Sequence, residues 1–324
     1  MPRHPAARTG MALILVLAAI VLAGGLALYL QARAAAAARL EQAELTRERL
    51  RLAAGEAARE ALWLLAADDD RQVDHLGEDW AKPHENQRDD GVYTWSLIED
   101  AGRFFNLNNL AVATQGPRPA NEILLDLLTF CGDFSPSVRV AALTDFVDGD
   151  EDGPYEAEFY RRPTDPYRPP NRELWAPAEV LRVHDFTAEL FRPRPRGPAD
   201  DLFGGDFSSA AVIVPQRLNK PVPINVNTAS RDVLMGLTSL QHDAVVRKVM
   251  AIRQTQPFES LAMIFAAYPE FAAALADSVS TASTIFRVRA RAAADSQRWS
   301  VMAWVERSPD TGAIRILQWV EAGG

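Results

Sequence analysis

Residues Met11 to Leu30 read MALILVLAAIVLAGGLALYL, twenty consecutive residues without a charge. At about 1.5 Å per residue such a helix reaches about 30 Å, the thickness of a bilayer core. This run constrains the chain more than anything else in it, because its backbone polar groups can be satisfied in lipid only within a helix. Arg3 and Arg8 precede it, so the excess of positive charge leaves the N-terminus on the cytoplasmic side and the rest beyond the membrane. Arg33 and Arg39 reduce the bias, but a large domain crosses largely regardless of nearby charge.

The run exceeds the roughly 7–15-residue core of a cleaved secretory signal. No turn follows it. Gln31, Ala32 and Arg33 lead into five alanines and then Arg39 to Leu45, all strong helix formers, with no proline until Pro83. Further on, Ala54, Ala57, Ala58, Ala61, Leu62 and Leu65 recur at helical spacing, with Glu56, Arg59, Glu60 and Trp63 on the other side. One helix is therefore expected from Met11 to about Ala66, its first half in lipid and its second half packed on a domain.

The chain has 324 residues and a formal net charge of −9. That charge speaks against nucleic acid as a partner, which wants a basic stripe. Cys131 is the only cysteine, so no intrachain disulfide can form. It stands beside Leu127, Leu128 and Phe130 and reads as a small buried hydrophobe.

A short basic leader ending in Gly10, followed by an apolar helix that continues into a globular head, resembles type IV pilins and pseudopilins. The resemblance implies cleavage between Gly10 and Met11 by a prepilin peptidase, methylation of the new amino terminus at Met11, and a single-pass inner-membrane protein with a periplasmic C-terminal domain. An uncleaved signal anchor is the alternative. Most pilin-like proteins carry glutamate at the fifth mature position; here that position is Leu15. A carboxylate in lipid without a partner costs several kcal/mol. A subunit with no neighbour ahead of it has no use for one. The apolar Leu15 is thus the pattern of a filament-tip subunit, and within the family the chain resembles the K-type minor pseudopilins of type II secretion systems. Other minor pseudopilins and the major pseudopilin are the implied partners, with a structural role rather than an enzymatic one.

Val92 to Glu99 alternates and reads as a strand, with Tyr93, Trp95 and Leu97 on one face and Thr94, Ser96 and Ile98 on the other. Phe286 to Ala292 alternates too. Trp299–Arg307 and Ala313–Glu321 form a hairpin pattern across Ser308, Pro309, Asp310, Thr311 and Gly312. A lone strand is unstable in water. The first strand must pair with the C-terminal three, across a mostly helical interval. The expected fold is α+β: a leader (1–10), a membrane-spanning stretch (11–30), a periplasmic helix (31–66), a pilin-like antiparallel head (67–105 and 280–324), and a helical domain (106–279) inserted into it. The K-type resemblance implies such an insertion, and the stretch Glu99 to Leu110 resembles that family's pattern at the strand exit. Within the insertion, helices are expected over Asn121–Cys131 and Ser135–Val147, with Asn121 and Ser135 as N-caps. The proline-rich stretches 163–170 and 193–198 read as surface loops, the second with a partner contact as its alternative.

Residues 145–158 read DFVDGDEDGPYEAE. Asp148, Asp150, Asp152 and Gly153 match the first half of an EF-hand loop, and Glu156 takes its ninth position. The twelfth position is Phe159 rather than glutamate, so the motif is incomplete. Carboxylates at this density repel one another unless a cation is present. A structural calcium is expected on Asp148, Asp150, Asp152 and Glu156, with Asp145, Glu151 and Glu158 in reserve; a solvated acidic loop is the alternative. K-type pseudopilins bind calcium, as the resemblance implies.

Pro223 to Ser230, Val233 to Leu237, Val245 to Arg253 and Pro257 to Leu261 resemble a helix-hairpin-helix module, which raises a membrane-anchored DNA-binding protein as the rival reading. DNA-binding hairpins aim the backbone N–H groups of a glycine-rich turn at phosphate. Here the turn is Thr238 to His242, without glycine, and Gly236 lies before it. The local cations are Arg247, Lys248 and Arg253. The segment reads as a packing module, with Asn225 and Asn227 as capping or turn residues. The histidines stand far apart, and no catalytic motif is present.

Overall fold

The computed structural model describes residues 7–112, 118–162, 165–193, 206–215, 219–238, 242–269 and 278–324. Helix α1 runs Ala7–Ala66, 60 residues and thus about 90 Å long. From Met11 its first half is fully exposed, and its apolar window is long enough to cross a membrane. The helix begins at Ala7, upstream of Met11, and continues through Gly10.

A five-stranded antiparallel sheet forms the head. Its strands are β1 (His84–Gln87), β2 (Tyr93–Asp100), β3 (Ile285–Ala294), β4 (Gln297–Arg307) and β5 (Ile314–Gly323), in that order across the sheet. The first strand thus pairs with a strand nearly two hundred residues on, as the instability of a lone strand requires. The β3–β4 turn places Asp295 at φ 53°, a left-handed conformation that aspartate tolerates. The β4–β5 turn needs φ 71° at Gly312, whose N–H donates to Ser308 O at 2.9 Å.

The C-terminal half of α1 lies on β2, β3 and β4. Small side chains make up much of the contact. Ala54, Ala58, Ala61 and Leu65 of α1 are buried with Ala290, Ala292 and Ala303 of the sheet. Thr94 and Ser96 are buried on this inner face of β2. The more apolar-looking face of β2, with Tyr93, Trp95 and Leu97, turns outward instead. Small residues on both surfaces let helix and sheet approach closely, and that gain outweighs the polarity of two hydroxyls.

Between β2 and β3 lies the inserted region. Helix α2 (Ala120–Phe130) packs on α3 (Pro136–Val147) and on α4 (Arg231–Leu237), around Leu124, Leu128, Leu143 and Phe146. Helices α5 (Asp243–Thr255) and α6 (Leu261–Ala267) follow. Gly236 of α4 faces α2 so closely that an added Cβ would stand 2.8 Å from Leu127 Cβ. Cys131 is buried. Asn121 is not the cap of α2: Pro119 holds that position, and Asn121 Oδ1 accepts the N–H of Glu122. Ser135 does occupy the N-cap of α3, but its side chain makes no capping bond there; its Oγ donates to Asp185 at 2.7 Å. Arg192 is exposed beside Glu189, while residues 194–198 of the second proline-rich stretch lie outside the described residues.

Buried asparagines tie the insertion together and to the head. Asn108 donates to Leu174 O and Val214 O and accepts from Leu174 N–H, all within 2.9 Å. Asn109 pairs with both backbone groups of Val222. Asn225 donates to Asp74 O and Asp100 Oδ2, and Asn227 pairs with both backbone groups of Phe258. Asn227 thus does more than turn the chain, giving a donor and an acceptor to Phe258, which lies in no strand, while Asn225 Oδ1 accepts the Asn227 N–H within the turn and its amide reaches across to the head.

Where head and insertion meet, the buried Arg307 guanidinium donates to both oxygens of Asp74 at 2.7 Å and to Asp68 at 2.6 Å. It also lies over the Phe286 ring at 4.7 Å. Asp74 accepts the Ser283 N–H, and Asp100 accepts from Thr228 Oγ1 and Gly102 N–H. Burial pushes Asp74 up to about 7 despite the pull of Arg307, and raises Asp100 despite its hydrogen bonds.

Candidate functional site

The acidic loop begins where α3 ends. Asp148 is the C-cap of that helix, its N–H bonded to Thr144 O at 2.9 Å. The chain then curls so that Asp145, on the last turn, accepts the N–H of Tyr155 at 2.7 Å. Gly153 sits against Asp145: an added Cβ would lie 2.3 Å from that carboxylate. The glycine at the sixth loop position is therefore required by close approach, since its φ is not in the left-handed region.

This curl brings Asp148, Asp150 and Glu156 together, with one carboxylate oxygen of each inside a 4.8 Å span. Asp152 is not in that group; its N–H donates to Asp150 Oδ1 at 2.9 Å. Glu156 is buried, and neither of its carboxylate oxygens has a hydrogen-bond partner among the described residues; Asp148 Oδ1 is likewise unpartnered. Burial, then the charges of Asp150, Glu156 and Asp145, push Asp148 up to about 7. Burial, then Asp145, Asp150 and Glu151, raise Glu156. Buried acceptors without donors cost free energy, and clustered carboxylate oxygens are the hard ligands that Ca²⁺ takes, these three supplying part of its shell. The residues fit such an ion, which would supply the positive charge that these oxygens lack.

The apolar stretch of α1 presents Leu15 on an exposed helix surface, 65% accessible.

The helix-hairpin-helix resemblance maps onto α4 and α5, with turn residues 239–241 outside the described residues. One of its cations is engaged in packing and a second is paired on the surface. Arg253 donates to Val226 O and Ala229 O, each at 2.6 Å, and Arg247 pairs with Asp243. Gly236 serves the contact with α2. Arg253 and Gly236 thus hold the module against its own domain, and the charge of Arg247 is answered by Asp243 on the same helix.

A helix able to span a membrane, running into an α+β head whose sheet is interrupted by a large helical insertion, defines the class of the molecule. A chain in the crystal structure of the GspK-GspI-GspJ complex from the enterotoxigenic Escherichia coli type 2 secretion system has this fold. The match has a TM-score of 0.62 at 18% identity and covers 88% of this chain and 98% of that one. The fold is thus that of a chain in a type 2 secretion complex. No family model and no curated protein matches the sequence.

Proposed function

We propose that the chain is a K-type minor pseudopilin, the tip subunit of a type II secretion pseudopilus, acting in protein secretion across the outer membrane. The observation that carries this reading is the helical insertion between β2 and β3, in a fold shared with a secretion-complex chain over nearly that chain's whole length. Its mechanism is assembly rather than chemistry. Residues 11–30 hold the subunit in the inner membrane, with the N-terminus cytoplasmic and the head periplasmic. Cleavage after Gly10 by a prepilin peptidase and methylation of Met11 prepare it for assembly. The exposed half of α1 then packs against other minor pseudopilins and, through them, the major pseudopilin. Leu15 removes the carboxylate that would call for a neighbour ahead, and the bulky insertion fits a filament end better than its shaft. Asp148, Asp150 and Glu156 hold a structural calcium that orders the insertion, with Asp152 at the rim of the loop.

Immunogold labelling of assembled filaments tests the reading: label is expected at one end. A Leu15→Glu chain should still label one end, because the insertion remains. Label spread along the shaft in either case refutes the capping role. Mass spectrometry of the mature N-terminus tests the processing, and a mature chain that begins at Met1 refutes it.

A further inference from the structure

The sheet face opposite α1 carries an unusual surface. Reading across the strands, Trp95 stands beside Arg291; Leu97, Arg289, Met302 and Val320 form the next row; Glu99, Arg287 and Trp304 the next. The guanidinium groups of Arg289 and Arg291 lie over the Trp95 ring at 5.9 and 5.7 Å. Glu99 is shared by Arg287 and Arg289, with contacts of 3.0 and 2.8 Å. Glu85, opposite Trp95 on β1, is the other carboxylate of these rows, so three guanidinium groups meet two carboxylates among the described residues, within a chain of net charge −9. Arg291 is exposed, and Val320 is 41% accessible. At the end of this face lies a cavity of about 150 Å³, between Arg287, Met302 and Trp304 of the sheet and Leu107, Phe191 and Val212 of the insertion.

We propose that this face docks an acidic segment of a partner protein, seating one apolar side chain in the cavity and carboxylates on Arg289 and Arg291. The inference stands apart from the proposed function. A guanidinium stacked on an indole has lost side-chain freedom in advance; the exposed Arg291 can still offer its N–H edge to a carboxylate fork, and Arg289, already paired with Glu99, adds its charge and remaining donors. Arginine and tryptophan around a small apolar cavity are what concentrates binding energy at protein interfaces. A nucleic acid would need a longer basic stripe than these three arginines provide. Charge complementarity therefore favours a short acidic polypeptide with an apolar residue near its centre.

The test uses the full chain in non-ionic detergent and a fluorescein-labelled peptide, Glu-Glu-Phe-Glu-Glu, read by anisotropy. A Gln-Gln-Phe-Gln-Gln peptide and a single-stranded oligonucleotide serve as competing probes. Saturable, salt-sensitive binding of the acidic peptide is expected, with little from the other two. Arg291→Glu should weaken it about tenfold or more. Arg291→Gln, which keeps a polar side chain on the strand, should weaken it severalfold and decides the matter if the charge reversal does not fold by circular dichroism. No saturable peptide binding, equal affinity in the folded variants, or tighter binding of the oligonucleotide would overturn the proposal.

Discussion

Arg307→Met should be among the most damaging single substitutions in the head. The guanidinium is 1% exposed and satisfies Asp74, which is fully buried, together with Asp68. Methionine fills much of the same space over Phe286 but leaves both carboxylates without their counter-charge. Breaking a buried pair by removing one partner costs about 3–5 kcal/mol, because the surviving charge is stranded. That is a large fraction of the roughly 5–15 kcal/mol that holds an ordinary domain together. The measurement is urea unfolding at pH 8, where Asp74 is ionised, followed by tryptophan fluorescence. Trp80 is a local reporter, since its ring meets Phe286 edge-on at 5.3 Å. Adding Asp74→Asn to Arg307→Met should recover a good part of the loss. The new amide oxygen still accepts the Ser283 N–H, while the stranded charge is gone. A loss under about 1 kcal/mol for the single change, with an unchanged denaturant slope, would refute the reasoning: the pair would then be solvated, and its burial energetically idle.

Three further outcomes follow from the same structure. Calcium should raise the thermal midpoint of the chain, with about 2.7 kcal/mol gained at a hundredfold excess over its dissociation constant; Asp148→Asn/Glu156→Gln should abolish the shift, and an equal shift in that variant would exclude these ligands. Gly236→Ala should cost about 1–3 kcal/mol, since the new methyl meets Leu127 and the helices must separate. Gly149→Ala, with nothing within 4 Å, is the control and should be far milder in parallel urea titrations. The third outcome concerns pH. Burial raises Asp74 to about 7, Glu78 to about 7, and Asp100 as well, so the folded chain holds protons that the unfolded chain has released above about pH 4. Unfolding free energy should therefore fall as pH rises from about 4 to 7, read as a declining urea midpoint at fixed calcium concentration; a midpoint that climbs through that window contradicts the assignment.

Much was legible from local pattern alone. An uncharged run of bilayer length, unbroken helix-forming residues after it, clean alternation in β3 and the Ser308–Gly312 turn each express a rule that acts over a few residues. The insertion was legible by a stricter route: β2 could not stand alone, and the nearest strands able to pair with it lay at the C-terminus. The acidic loop announced itself by charge density. Beyond that, the answers depended on what each segment met in space. Strand β1 is exposed throughout and has no alternation to betray it; it exists because β2 offers an edge. Which face of β2 is buried was decided by the alanines of α1, not by the polarity of β2. Asn106, Asn108 and Asn109 stood in a recognisable stretch, but that Asn108 and Asn109 staple Leu174, Val214 and Val222 required knowing which distant segments arrive without partners. Among the loop carboxylates, Glu156 rather than Asp152 joins Asp148 and Asp150, because the curl held by Asp145 and Gly153 sets which oxygens converge. Periodicity and composition describe a segment's own preferences, whereas burial, ligand geometry and ion pairing are properties of two or more segments at once, and only the folded chain brings those together.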